Sequence, residues 1–169
     1  GISLKNAWGL MQENNVVTLP CVTEEGLLEG VITIGDITKS YMNLYDSSII
    51  SKACTKYANI LDTLEGSMVV GDSEAYFDRG KVLIAAANPD LMENYIEKHD
   101  LVILGNRYES QLCAIEMEAG CIIVCEGAGV SLTIRKLAQE RGCAVITTPY
   151  DTYTTARLIN QSMPISYFM

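Results

Sequence analysis

The sequence predicts an α/β fold in which a mostly parallel sheet is covered on both faces by helices. Two observations lead to this fold class. Short, continuous apolar runs recur in the second part of the chain (SMVVG, KVLIAA, LVILG, CIIVCEG and CAVITTP), and segments with apolar residues at helical spacing separate them. Strands that are apolar along their whole length are buried on both faces, as in parallel sheets covered by helices. The resulting domain spans residues 52–163.

The first 46 residues have a different order, which is helix, strand, strand, helix. Residues 3–13 carry an apolar stripe at helical spacing, and Ser3 is placed to cap this helix. The stripe consists of Leu4, Ala7, Trp8 and Met11. NNVVTLPCV and LLEGVITI follow as two strands joined by an EEG turn, and GDITKSYMNL begins a second helix. The short polar stretch 46–51 then predicts a domain boundary.

Amphipathic helices are expected between the strands of the second part. They cover residues 52–65, 89–99, 108–120, 131–142 and 151–162. The loops that follow the strands carry Gly71, Gly105, Gly127 and Gly129. In an open α/β sheet, ligands bind at the edge that such loops form.

Composition narrows the classes of function. A net charge of −9 and an isoelectric point near 4.5 argue against nucleic acid and against anionic membrane surfaces, because both attract clusters of Lys and Arg. No apolar run reaches the roughly 18 residues of a membrane span, and no signal peptide opens the chain. We therefore expect a soluble protein.

The cysteines and the histidine also limit the chemistry. The six cysteines are Cys21, Cys54, Cys113, Cys121, Cys125 and Cys143. Most lie in apolar runs, which predicts buried free thiols, a reducing compartment and a cytoplasmic location. The single histidine, His99, lies between a helix and a strand, so we expect neither a zinc site nor a histidine-based catalytic group.

Three polar loops are candidate ligand sites with simpler explanations. EGAGVS at 126–131 follows a strand and opens a helix, as phosphate-binding loops do, but a tight turn capped by Ser131 also explains it. The loop 71–81 could bind a ligand or be a solvated loop with internal Asp–Arg pairing. In the segment 147–156, helix capping by Asp151 accounts for the hydroxyl-rich sequence.

The strongest signal is GVITIGD at residues 30–36. Thr33 ends an apolar strand, and Asp36 follows three residues later where a helix begins. A hydroxyl and backbone N–H groups at a helix N-terminus suit phosphate oxygens, and a carboxylate beside them can accept both hydroxyls of a ribose. The spacing is equally consistent with a strand, a turn and a helix cap.

These residues carry a resemblance to a known family. A helix, NNVVTLPCV, a turn and GVITIGDI together resemble a cystathionine-β-synthase (CBS) motif that lacks its opening strand, and residues 1–46 cover it. In that family a Thr/Ser-x-x-Asp element binds the phosphate and ribose of adenine nucleotides. The resemblance therefore implies nucleotide binding by Thr33 and Asp36, and by Asn15, Val17, Thr18 and Pro20 on the strand that lines the base.

Residues 52–163 resemble a DRTGG domain, a small α/β module. The matching stretches are VVGDS, KVLIAAANPD, LVILGN, CIIVCEGAG and VITTPYDTYTTARLI. The Asp-Arg-Thr-Gly-Gly elements themselves are not intact, because Ser73 follows Asp72 and Asn106 follows Gly105. A spacer or dimerisation role is therefore safer than a ligand role tied to them.

The CBS-containing family II inorganic pyrophosphatases place a DRTGG domain between two CBS motifs, and PISYFM at 164–169 resembles the opening strand of the second motif. In that family AMP and ADP inhibit the enzyme, whereas ATP and diadenosine polyphosphates can activate it. The resemblance implies a homodimeric regulatory module that binds adenine nucleotides and controls attached catalytic domains. Those domains use Mn²⁺ or Co²⁺ and an Asp-His-His run, which is absent here, so this chain is not expected to be an enzyme.

Two alternatives stay open. The chain could be a purely structural or dimerisation module that binds nothing. It could instead be a small α/β enzyme that handles acyl or phosphate groups with the loops around Asp72, Arg79 and Gly127, although it lacks a poised base and a clear nucleophile.

Overall fold

The computed structural model describes residues 1–42, 46–85 and 88–169. The first part contains α1 (Leu4–Asn14), β1 (Thr18–Val22), β2 (Leu28–Thr33) and α2 (Ile34–Met42). Ser3 caps α1, because its hydroxyl accepts the N–H of Asn6 at 3.1 Å. β1 and β2 form an antiparallel hairpin. The predicted order of helix, strand, strand and helix is confirmed, while the last residues of the predicted second helix, 43–45, lie outside the described part.

The second part alternates helices with strands. Its elements are α3 (Ile49–Lys52), β3 (Thr55–Lys56), α4 (Tyr57–Leu64), β4 (Ser67–Val70), β5 (Tyr76–Phe77), β6 (Val82–Ile84), α5 (Pro89–Met92), β7 (Leu101–Leu104), α6 (Tyr108–Glu116), β8 (Cys121–Val124), α7 (Leu132–Arg141), β9 (Ala144–Thr147) and α8 (Thr152–Leu158), followed by 3₁₀ segments at Ile159–Ser162 and Ile165–Tyr167. In the described part of the chain, no helix combines the length and apolarity needed to cross a membrane.

The central sheet has the strand order β4-β9-β8-β7-β6. Strands β9, β8, β7 and β6 are parallel to one another, and only the edge strand β4 runs antiparallel to its neighbour β9. Along β7, Leu101 and Ile103 face one hydrophobic cluster, whereas Val102 and Leu104 face the other. Because β7 and β8 are buried on both faces, the predicted mostly parallel sheet covered by helices is confirmed.

One of these two clusters also contains the first part of the chain. The buried cluster around Ile123 of β8 also includes residues of all three elements of the first part, namely Leu4 and Met11 of α1, Ile32 of the hairpin and Ile37 of α2. The predicted boundary at 46–51 includes the start of α3, where Ile49 and Ile50 are buried in this cluster. The two parts therefore share one core, and the division between them stays a prediction of the sequence.

The helix predicted over residues 52–65 is wrong in its first turn. The chain leaves α3 through Cys54, which has a φ of 53°, and forms β3 before α4 begins at Tyr57. β3 pairs with β5, which lies inside the loop predicted over residues 71–81. A pairing between two short, distant segments overrides the local helical pattern here.

The helix predicted over residues 89–99 is also shorter than expected, because α5 ends at Met92. The buried carboxylate of Asp100 accepts the N–H of Glu97 at 2.9 Å, so this N–H does not continue a helix. His99 follows with a φ of 73°, and a Cβ at Gly80 or Gly120 would lie 2.4 or 2.7 Å from the His99 carbonyl oxygen. These two glycines allow the backbone of His99 to approach closely.

Two further expectations are corrected near the ends of the chain. Residues 165–167 form a 3₁₀ turn rather than the expected strand, and pairing is limited to one antiparallel bridge between Ser3 and Pro164. Two backbone bonds flank this bridge, from Leu4 N–H to the Met163 carbonyl and from Ile165 N–H to the Ile2 carbonyl, both at 2.9 Å. Trp8, expected in the buried stripe of α1, is 42% exposed.

Candidate nucleotide-binding site

The hairpin brings one side of the predicted site together. Thr18 is paired with Thr33 and Pro20 with Val31, and burial alternates along both strands. Leu19 and the fully buried Ile32 face the core, so their neighbours in sequence face outward. The outer face of the hairpin, which we define as Thr18, Pro20, Val22, Val31 and Thr33, is therefore mainly apolar.

Thr33 and Asp36 form a reciprocal cap at the start of α2. The Thr33 hydroxyl accepts the N–H of Asp36 at 3.1 Å, and Asp36 Oδ2 accepts the N–H of Thr33 at 2.8 Å and its hydroxyl at 2.9 Å. This is the capping box that a Thr-x-x-Asp sequence makes at a helix N-terminus. Both side chains are half-buried, so the cap leaves part of each accessible to solvent. The predicted capping geometry is present, and it also holds a hydroxyl and a carboxylate side by side.

The segment before β1 lies against the same end of α2. Asn15 ends α1 in the left-handed conformation with a φ of 51°, which turns the chain toward β1. The carbonyl of Val17 accepts the N–H of Ile34, the first residue of α2, at 2.9 Å. Val17 and Thr18 thus lie next to Thr33, Asn15 precedes them at the end of α1, and all three are exposed.

Pro20 lies further along the hairpin than the other predicted residues. It lines a cavity of about 280 Å³ with Cys21, Val22 and Met169. Four of the six predicted site residues, Val17, Thr18, Thr33 and Asp36, are therefore grouped around the start of α2, while Asn15 lies at the end of α1 and Pro20 extends the outer face away from α2.

The other candidate loops use their polar groups internally. The N–H groups of Glu126 and Gly127 donate to the carbonyls of Tyr150 and Thr148 at 2.8 and 2.9 Å, so these amides do not point at a ligand. Ser131 caps α7 through the N–H of Ile134 at 3.2 Å. The tight turn with a serine cap is the explanation that the geometry supports.

Asp151 caps α8 as expected, since its carboxylate accepts the N–H of Thr154 at 2.7 Å. This hydrogen bonding lowers the pKa of Asp151. In the loop 71–81 the expected Asp–Arg pair is not formed: within the described residues, the ion pairs of this loop join Glu74 to Lys56 at 2.7 Å and Lys81 to Asp100 at 2.6 Å and to Glu97 at 3.7 Å. Asp72 instead accepts the N–H of Glu74 at 2.9 Å.

The residues of the alternative enzyme hypothesis are not brought to one place. Asp72 lines a cavity of about 620 Å³ together with Tyr57, Gln139 and Cys143, but Arg79 and Gly127 do not line it. Burial raises the pKa of the Cys143 thiol to about 12 and raises that of the Tyr57 phenol. At neutral pH neither group is ionised, so the cavity holds no activated nucleophile among its described side chains.

The fold combines a mostly parallel α/β sheet with a helix–hairpin–helix unit whose second helix begins at a Thr-x-x-Asp capping box. In a comparison with protein families, the DRTGG domain model matches residues 59–162. The cobalt-dependent inorganic pyrophosphatase of Clostridium perfringens is 37% identical over 168 residues, which cover 99% of this chain and 31% of that protein. A probable manganese-dependent inorganic pyrophosphatase of Thermotoga maritima is 27% identical over 160 residues, 95% of this chain and 29% of that protein.

A solved structure matches nearly the whole chain. It contains the CBS and DRTGG domains of the regulatory region of the Clostridium perfringens pyrophosphatase, complexed with the activator diadenosine tetraphosphate. The TM-score is 0.95 at 37% identity, covering 99% of this chain and 73% of that one. This chain belongs to the family of CBS–DRTGG regulatory regions of inorganic pyrophosphatases. It spans about a third of the length of the curated pyrophosphatases that it matches.

Proposed function

We propose that this chain is the adenine-nucleotide-binding regulatory module of an inorganic pyrophosphatase. The observation that carries the proposal is the Thr33–Asp36 pair at the start of α2, beside the exposed, mainly apolar outer face of the hairpin. The homologous region of the Clostridium perfringens enzyme, complexed with diadenosine tetraphosphate, supports this choice of ligand class.

Each part of the nucleotide has a matching group. The N–H groups of Ile34 and Asp36 already donate to the Val17 carbonyl and the Thr33 hydroxyl, so phosphate oxygens would bind at the N–H of Gly35 and would take the Thr33 hydroxyl from Asp36. Asp36 Oδ2 already accepts two bonds from Thr33, and a ribose would bind through the remaining capacity of this carboxylate. The base would lie along Val17, Thr18 and Pro20, with Asn15 at the edge.

The regulatory effect follows from differential binding to two arrangements of the parent protein. A nucleotide that binds one arrangement more tightly shifts the population toward it. We propose inhibition by AMP and ADP and activation by ATP or diadenosine polyphosphates, in a cytoplasmic homodimer whose separate catalytic domains use Mn²⁺ or Co²⁺. The catalytic domains of the same polypeptide are then the main partner of this chain.

Thermal unfolding with AMP, ATP or diadenosine tetraphosphate, against inorganic phosphate, tests the proposal. A ligand at about 100 times its Kd stabilises the native state by about 2.7 kcal/mol, which raises the Tm by several degrees. We expect this shift with adenine nucleotides and its loss in Asp36→Ala. Asp151→Ala is the matched control, because it also removes an aspartate cap but lies on α8. A shift that survives Asp36→Ala contradicts the assignment.

A purely structural module is the second candidate, and one observation favours it. The hydrogen bonds of Thr33 and Asp36 are satisfied by each other without a ligand, as in any capped helix. This candidate predicts that no adenine nucleotide changes the Tm, either in this chain or in a longer one that continues past Met169. A nucleotide-dependent shift in the longer chain alone would instead mean that the binding site needs a second CBS motif.

A further inference from the structure

A groove beside the C-terminal part of α2 has properties of a second ligand site. It encloses about 440 Å³ between α1, α2 and the end of α8, and Leu4 and Ile37 form its buried floor. We call it the α1–α2–α8 groove. None of the six residues assigned to the nucleotide lines it. A ligand here would therefore not contact the Thr33–Asp36 pair.

Two aromatic side chains form the walls of this groove. Trp8 of α1 is 42% exposed and Tyr41 of α2 is 48% exposed, so both present aromatic surface to solvent next to an apolar floor. Aromatic rings bury large areas and prefer offset or edge-to-face contact with other rings. A planar aromatic ligand is the chemical class that such walls bind best.

A cation stands at the third wall. Arg157 is exposed in the last turn of α8, and in the described part of the chain no carboxylate lies within 4.0 Å of its guanidinium. Lys5, the other cation of the groove, is engaged by Asp62, with its Nζ 3.7 Å from the carboxylate and 3.0 Å from the carbonyl. Arg157 is thus the cation available to a ligand, in a chain with a net charge of −9.

The polar groups around the groove are consistent with an anion. Gln161, in the 3₁₀ segment that follows α8, lines the groove together with Arg157 and Tyr41. Burial raises the pKa of Tyr41, while Gln161 and the positive charge of Arg157 act in the opposite direction. A guanidinium beside exposed aromatic rings binds carboxylates, sulfonates and phosphates and can also stack on a ring.

We propose that the α1–α2–α8 groove binds a planar aromatic anion, with its ring against Trp8 and Tyr41 and its acidic group paired with Arg157. The ligand needs no ribose, because Asp36 and Thr33 are not part of the site. The site therefore differs from the nucleotide site in location and in ligand class.

Trp8 is the only tryptophan of the chain, so its fluorescence reports directly on the groove. The probe is 1-anilinonaphthalene-8-sulfonate, titrated while energy transfer from Trp8 to the probe is recorded. We expect saturable transfer and a loss of affinity of about tenfold in Arg157→Gln, since a charge-assisted hydrogen bond contributes about 1.5 kcal/mol or more. The neutral analogue N-phenyl-1-naphthylamine should bind more weakly and be indifferent to Arg157→Gln.

Matched controls separate the groove from other surfaces. Arg141→Gln removes the corresponding arginine from the last turn of α7 and should leave probe affinity unchanged. Val17→Ser changes the outer side of the hairpin and should also have no effect. Equal affinity in wild type and Arg157→Gln overturns the proposal. Probe binding that falls as the protein dimerises, followed by sedimentation velocity, also overturns it, because a second copy would then cover the groove.

Discussion

The hairpin and the central sheet bury their strands to very different extents. β7 and β8 are fully buried on both faces, whereas the hairpin has one face in the core and one in solvent. Twelve of the twenty large hydrophobic side chains exposed in the described part lie within residues 1–42, although this segment is a quarter of the chain. The sheet strands are thus covered on both faces, in part by the first 42 residues, while the CBS-like part leaves apolar surface for a ligand or another protein surface.

The two regions should differ most in the free energy of unfolding that is lost when an ion pair is broken. Asp100 is 1% exposed and pairs with Lys81 at 2.6 Å, so Asp100→Ala leaves two N–H groups without their acceptor and leaves the partly buried Lys81 ammonium only its longer pair with Glu97 at 3.7 Å. We expect a loss of about 3 kcal/mol in the free energy of unfolding, measured with urea. Asp62→Ala removes the exposed pair between α1 and α4 and should cost less than about 1 kcal/mol. Equal losses would mean that Asp100 contributes no more than a surface pair.

Two valines make the comparison for apolar burial. Val124 of β8 is fully buried, and Val31 of β2 is 42% exposed on the outer face. Val124→Ala should lower the free energy of unfolding by about 2 kcal/mol, because it removes buried methyl groups and leaves a cavity. Val31→Ala should change it by less than about 0.5 kcal/mol in this chain. A large loss from Val31→Ala would show that the outer face is already covered, for example by self-association, which its dependence on protein concentration would detect.

The buried thiols give an effect that is absent at neutral pH and appears only in alkaline solution. The pKa of Cys143 is raised to about 12 in the folded state by burial, above its ordinary value of 9.0. Its stabilising effect is complete below pH 9 and is lost as the pH rises from about 9 to 12, at up to about 1.4 kcal/mol for each pH unit. Cys143→Ala should therefore flatten the dependence of unfolding free energy on pH between 8 and 11. An unchanged slope would assign the alkaline loss to other groups, such as Cys121 and Tyr57.

The apolar strands of the sheet could be predicted from the sequence because their signal is local. Continuous runs such as LVIL and CIIV have few alternatives to a strand buried on both faces. The failures have non-local causes. β3 exists because it pairs with β5 some twenty residues later. Beyond the end of α5, Asp100 accepts the N–H of Glu97, which a continued helix would have bonded to its own backbone.

Part of the candidate site could be predicted from the sequence. The Thr33–Asp36 element is a short motif, and its alternative interpretation as a helix cap describes its hydrogen bonds correctly. The α1–α2–α8 groove was not accessible, because helical spacing assigns Trp8 to the buried stripe and Arg157 is distant in sequence. Spacing within one helix does not reveal which side chains a third helix leaves uncovered.

The bridge between Ser3 and Pro164 has a consequence for how such a unit can be joined to other proteins. Residues 3 and 164 are directly paired, so the two ends of the intervening segment lie side by side. A segment with adjacent ends can be inserted into a loop of another protein without moving apart the two residues that it joins. The distance between the two attachment points is thus set by the Ser3–Pro164 bridge and not by the size of the segment between them.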